Sequence, residues 1–274
     1  MIQKIPATVM ILTYNSARVV EPCLRSVMAF EEILVMDGGS TDRTLEYAKA
    51  AGARIEPQSE TPGPITDFTA VRDRAFQIAK YDWVFYLDSD ETIDEALVEA
   101  MRGAVARQDQ MMAYRVERVP LIEGVRIRHA YFMPDRCVRL VHRKTASWAK
   151  GKKVHEHLQL AEGVTVSNLS GVVLTPWATL EEYRKKDRYY LALQFSKPVE
   201  RRPSFFVALR AVGKNIFYAL GIVLTALFLS IRYGGSQDVL PWRYHLRFAR
   251  YHVSVARERL RQFILGSRYV PPSA

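Results

Sequence analysis

Two carboxylates one residue apart, Asp88 and Asp90, follow directly on five apolar residues, Trp83 to Leu87, with Ser89 between them and Glu91 after. Hard oxygen donors at that spacing suit a divalent cation that shares its shell with a substrate's phosphates. The apolar run is short, aromatic and β-branched, as expected of a strand buried on both faces of a parallel sheet. The acids then stand at its C-terminal end, the edge where open α/β sheets bind ligands. Read alone, the same acids also suit a turn feeding the N-terminus of a helix, whose dipole favours negative charge.

The elements that would position these acids are legible upstream. Residues 7–13 form a second buried-strand run, ending at Tyr14, Asn15 and Ser16, where Asn15 or Ser16 can cap a helix over 19–30. Residues 32–36 form a third, ending at Asp37-Gly38-Gly39-Ser40-Thr41-Asp42, whose glycines allow a sharp turn and a close approach to a ligand. Ser40 or Thr41 can cap a helix over 42–51. A strand at 53–56, a Pro/Gly loop at 57–64 and a helix over 66–80 lead back to the acidic pair. Thr92 and Glu95 have capping-box spacing ahead of the next helix. Strands alternating with helices in this way predict βαβ units and a mostly parallel sheet. Tyr14, Asp37 and the Asp88/Asp90 pair then share one edge.

The order of these four segments, including Thr69 to Phe76 around Arg72, resembles the nucleotide-binding half of glycosyltransferase family 2, over about residues 6–105 and more thinly to about 160. The resemblance implies the GT-A fold and inverting transfer from a nucleoside diphosphate sugar. It implies that Tyr14 and Asp37 contact the base, that Arg72 contacts the base or phosphates, and that Asp88 lies near the ribose or sugar. Asp90, with Asp88, would hold Mg or Mn on the diphosphate. Members commonly have a second acid after the position of Asp37; here it is Gly38, so uridine is a preference for the base. Chemistry agrees with the assignment: a divalent ion neutralises the charge growing on a diphosphate leaving group.

An acceptor hydroxyl also needs a base. The segment running from Arg139 through Trp148 to His155 and Glu156 resembles one in family members that build lipopolysaccharide cores. By that likeness Glu156 is the catalytic base, His155 sits at the metal or diphosphate, and Arg139 or Trp148 shapes the acceptor pocket. His142 and His157 read as surface residues. Residues 164–174 alternate as an edge strand pair, and Thr179 with Glu182 forms a capping box opening a helix to about 196, after which 197–203 is the expected boundary. The expected division is a catalytic domain over 1–198 and a helical membrane-association region over 199–274.

The chain has 274 residues, 49% of them hydrophobic, enough for a sizeable core. Two cysteines and no recognisable signal sequence point to the cytosol. Twelve of the 39 Lys/Arg, against only Asp238 and Glu258, lie in residues 201–274, so the whole net charge of +10 sits in the tail. There, sixteen uncharged residues at 216–231 would span roughly 24 Å as a helix, short of a roughly 30 Å hydrocarbon core. Downstream, Trp242, Leu246, Ala249, Val253, Ala256, Leu260 and Phe263 form an apolar stripe, flanked by Arg243, Arg247, Arg250, Arg257 and Arg261. A basic amphipathic helix of this kind suits an anionic membrane surface, while the apolar run beside it argues against nucleic acid. The expected function is metal-dependent sugar transfer to a lipid-linked saccharide or lipopolysaccharide core, at the cytoplasmic face of the inner membrane. Transfer to polyprenyl phosphate and a non-catalytic nucleotide-sugar-binding protein are the alternatives.

Overall fold

A computed structural model describes residues 3–65, 67–148, 158–197, 199 and 201–273. The chain divides into two compact units, residues 1–119 with 134–176, and residues 120–133 with 177–274. This division falls at Pro176 and Trp177, ahead of the shift in composition near 198.

In the first unit the order is β1 (Ile5–Thr13), α1 (Val20–Ser26), β2 (Phe30–Asp37), α2 (Thr44–Ala50), β3 (Arg54–Pro57), α3 (Phe68–Ile78), β4 (Trp83–Asp88), β5 (Thr92–Ile93), α4 (Glu95–Ala106) and β6 (Met112–Ile122). The end of β6 and the short β7 (Val125–Arg126) belong to the second unit. Then follow β8 (Asp135–His142), β9 (Ala146–Trp148), β10 (Leu158–Leu160) and β11 (Thr165–Pro176). Nine strands form one sheet in the order β3-β2-β1-β4-β8-β6-β11-β5, with β7 on β6, and β9 pairs with β10 apart from it. Strands β1 to β4 are mutually parallel, and β8 runs antiparallel to β4.

The apolar runs are continuous because both faces of the parallel strands are covered. From β1, Ala7, Val9 and Ile11 enter a core with α1 and α4, while Met10 enters a second core with Val71, Ala75 and Phe76 of α3. In β4, Phe85 and Leu87 face the first core and Val84 the second. A strand with only one buried face would have alternated.

Three local expectations change. Asn15 does not cap α1; it takes a left-handed conformation, φ 50°, and its side chain accepts from Thr41 N at 2.9 Å, tying the end of β1 to the turn after β2. The cap of α4 is Asp94, not Thr92, which is drawn into β5: one Asp94 oxygen accepts from both Leu97 N and Val172 N at 3.0 Å. Residues 165–176 form one long strand rather than a pair, made possible by Gly171 at φ 85°, where a Cβ would stand 2.6 Å from Leu97 Cα.

The second unit is built on α5 (Leu180–Gln194), α6 (Phe205–Tyr233) and α7 (Trp242–Leu265). The capping box predicted at Thr179 and Glu182 is formed in full. Helices α6 and α7 pack antiparallel, with Phe205 against Phe263 and the Asn215 side chain 3.1 Å from His252 Nδ1. Ala208, Ala219, Ile222, Ala226 and Leu229 recur on the buried face of α6, and the alanines among them suit close packing. The helix is 29 residues long, not sixteen, and is the one described helix long and apolar enough to cross a membrane, by length and composition. Helix α7 is rotated from the expected stripe: Leu246, Val253 and Leu260 are exposed, while Tyr244, His245 and Glu258 are buried. Arg247 is not a headgroup-facing cation. It forms an ion pair with Asp187 of α5 and lies over the rings of Tyr183 and Phe248.

Candidate active site

Parallel pairing brings the three expected strand ends together. Thr13 is the partner of Asp37, and Leu12 the partner of Asp88, so the ends of β2, β1 and β4 adjoin. A one-residue slip would exchange the two cores, putting Met10 where Val9 and Ile11 pack.

At the end of β2, both oxygens of Asp37 are used within the fold. Oδ1 accepts from Thr13 Oγ1 at 2.7 Å and Ser40 Oγ at 2.6 Å, and Oδ2 from the backbone N–H groups of Gly39 and Ser40 at 2.8 and 2.7 Å. Four such bonds fill the acceptor capacity of a carboxylate, so Asp37 shapes this turn. Asp42 extends the same scaffold, accepting from Ala17 N at 3.0 Å, and the Thr44 hydroxyl it also accepts from holds its pKa below the usual carboxylate value. Gly38 has a steric reason. A Cβ there would lie 2.8 Å from the Tyr14 ring, and closer still to Gln58 Nε2 and the Gly63 carbonyl. The loop after β3 thus occupies the space an acid at position 38 would need. Tyr14 beside it is 39% exposed.

At the end of β4, Asp88 is flanked by two guanidinium groups. Arg139 of β8 reaches Asp88 Oδ2 at 3.3 Å, and Arg72 of α3 reaches Oδ1 at 3.7 Å. Arg139, expected in an acceptor pocket, is instead only 4% exposed. It lies over the Tyr86 ring at 4.8 Å, donates to the Tyr86 carbonyl at 3.3 Å, and pairs with Glu91 at 3.1 Å. Glu91 is itself buried and accepts from Thr175 Oγ1 and the Asp88 backbone N–H, both at 3.2 Å. Burial raises the Glu91 pKa, Arg139 opposes the rise, and the Asp88 charge adds to it. Burial works against the Arg139 charge too, but Asp88 and Glu91 hold its pKa above the ordinary value. The Tyr86 phenol donates to the Val138 carbonyl, and burial pushes its pKa up to about 12.

Arg72 sits in an aromatic box, over Trp148 at 4.8 Å, Phe68 at 5.6 Å and Tyr86 at 5.7 Å. Trp148 is buried against Phe76 and Tyr86, and its backbone N–H donates to Asp73 at 3.3 Å. It therefore supports Arg72 rather than offering open acceptor surface. Asp90 is exposed at the turn after β4. His155, Glu156 and His157 lie outside the described residues. His142 is buried, not on the surface, and stacks edge-on against Trp83. The participants not expected from sequence are Glu91 and Thr175. Glu91 stands in the acidic run, but its burial is a property of the sheet.

The adjoining strand ends thus present Asp88 and the exposed Asp90 beside Arg72, next to the partly exposed Tyr14 ring and the turn that Asp37 holds. The chain is 26% identical over 211 residues to the lipopolysaccharide core biosynthesis glycosyltransferase LpsC of Rhizobium meliloti (strain 1021), covering 75% of this chain and 77% of that protein. It is 23% identical over 270 residues to the glycosyltransferase RT0209 of Rickettsia typhi, covering 95% and 88%. Among solved structures it is similar to S. aureus TarS 1-349 in complex with UDP, at a TM-score of 0.45 and 15% identity, covering 97% of this chain and 93% of that one. The family model for glycosyl transferase family 2 matches residues 8–160, which take in all three strand ends as well as Arg72 and Arg139. The chain is therefore a glycosyltransferase of family 2.

Proposed function

We propose that the chain moves a sugar from a nucleoside diphosphate sugar to a lipid-linked saccharide or lipopolysaccharide core acceptor, with inversion, at the cytoplasmic face of the inner membrane. The observation that carries the reading is the adjoining of Asp37 and Asp88 at the C-terminal ends of β2 and β4 on either side of β1, with Arg72 and Arg139 beside Asp88 and Asp90 in the turn that follows. The acceptor class rests on the relation to LpsC, which covers most of both chains. Membrane association is supported by the exposed apolar face of α6.

In this reading Tyr14 and the turn held by Asp37 receive the base, with uridine the first to test. Arg72 faces the phosphates, and its aromatic box fixes the planar group that bidentate phosphate recognition needs. Asp88 orients the ribose or sugar, its own position set by two guanidinium groups. The residues fit a divalent ion. Magnesium uses one or two carboxylates together with substrate phosphates and water, and Asp90 is an exposed hard donor with Asp88 nearby in sequence. When bound, Mg or Mn supplies Lewis-acid neutralisation of the diphosphate leaving group. By the family resemblance, Glu156 would take the proton of the acceptor hydroxyl and His155 would act at the metal or diphosphate.

The test is release of nucleoside diphosphate by the detergent-solubilised chain from UDP-, GDP- and ADP-sugars, with and without Mn, and with and without lipopolysaccharide core. Release that needs one donor, the metal and the acceptor, and is lost in Asp90→Asn, is expected. Donor binding without acceptor-dependent release would overturn the reading.

A further inference from the structure

The second unit contains a cleft that no residue of the proposed transfer site lines. It has a volume of about 1120 Å³ and is walled by the segment after α5, the first half of α6 and the second half of α7. Its rim carries four cations, Lys197, Arg201, Lys214 and Arg259, and no carboxylate lines it among the described residues. None of the four lies in an ion pair among those residues, whereas Arg243 and Arg247 on the same unit are matched by Glu123 and Asp187. Arg259 is held in place, over the Phe195 ring at 4.8 Å and bonded to Gln262 at 3.1 Å.

The floor is apolar, built from Ala208, Ala211 and Val255, with the exposed Val207 at its edge. A solvated anion would gain nothing from such a floor; an amphiphile would. From Lys214, Phe217, Leu224 and Phe228 follow three, ten and fourteen residues on, an exposed apolar stripe on the same side of α6. Leu224 lies ten residues past Lys214, about 15 Å along the helix, roughly the hydrocarbon depth of one leaflet. Cations at the level of a headgroup, with an apolar path for the chain below, match one chemistry.

We propose that this cleft binds the phosphate of a phosphate-bearing lipid, with the acyl or prenyl chain lying along the exposed stripe of α6. The inference goes beyond sugar transfer and does not depend on it, because binding is measured without donor. The full chain is tested by flotation with phosphatidylcholine vesicles with and without phosphatidic acid. Three variants of equal charge loss are compared: Lys214→Gln with Arg259→Gln, Lys197→Gln with Arg201→Gln, and, away from the cleft, Arg232→Gln with Arg268→Gln. Arg259 is half-buried, so the exposed pair at 197 and 201 keeps the test independent of folding.

Each cation near an anionic surface contributes to non-specific attraction, so all three variants weaken somewhat; both cleft variants are expected to bind at least about tenfold more weakly than the control. A soluble short-chain probe, dihexanoyl phosphatidic acid, should raise the melting temperature of the detergent-solubilised chain, and inorganic phosphate should not. Equal weakening of all three variants would reduce the effect to surface charge and overturn the site. An equal melting shift with inorganic phosphate would overturn the lipid as its occupant.

Discussion

Replacing Arg139 by methionine keeps much of its volume but leaves Glu91 without its buried cation and Asp88 with Arg72 alone. Arg139 and Glu91 are 4% and 1% exposed, so solvent cannot replace the lost partner. Breaking a buried pair by removing one member costs about 3–5 kcal/mol, which lowers the melting temperature by roughly 10 °C for a protein of this size. The loss should also depend on pH. The Glu91 pKa is raised in the folded state, so its contribution is fully present below the unfolded value and is lost as pH rises through the folded one. Arg139 is a cause that lowers that pKa; without it the folded value rises further and the loss extends to higher pH. Melting of Arg139→Met against wild type, scanned from pH 5 to pH 8, should therefore show a gap that widens with pH. Adding Glu91→Leu should recover much of the loss, because an apolar pair often replaces a buried ion pair at little cost. A loss under about 1 kcal/mol, or a gap constant across the scan, would refute the buried-pair account.

At the proposed metal site, Asp90→Asn should lower metal-dependent turnover by about a hundredfold or more while the melting temperature holds, because it removes a charge acting on the leaving group. Arg72→Lys should reduce kcat/KM at least about tenfold, since an ammonium cannot stack in the box of Trp148, Tyr86 and Phe68 as a guanidinium does; equal activity would remove Arg72 from donor binding. Gly171→Ala forces a positive φ on alanine and a collision with the backbone of α4, and should cost about 3 kcal/mol or more by urea unfolding. Thr179→Ala removes one half of the capping box and should cost about 1 kcal/mol, read from the shift in the urea midpoint.

The sequence by itself determined those features whose causes are local or depend on burial pattern. Continuous apolar runs ending in polar residues were enough to place β1, β2 and β4 in a parallel sheet with Asp37, Asp88 and Asp90 on one edge. Thr179 and Glu182, three residues apart, were enough for a capping box, because both partners lie within one helical turn. The tertiary structure alone decided what depends on neighbours distant along the chain. Arg139 and Glu91 are separated by 48 positions and meet because β8 packs antiparallel on β4. Asp94 displaced Thr92 as a cap because its carboxylate also serves β11, and Gly38 is required by the loop that carries Gln58 and Gly63. In the tail, periodicity located the helices but not their facing. Ion pairing with Asp187 and packing on α6 turned α7 so that Arg247 is largely covered and Val253 is left exposed. Hydrophobic spacing identifies a helix's apolar residues; which of them are covered is settled only by the partner that arrives.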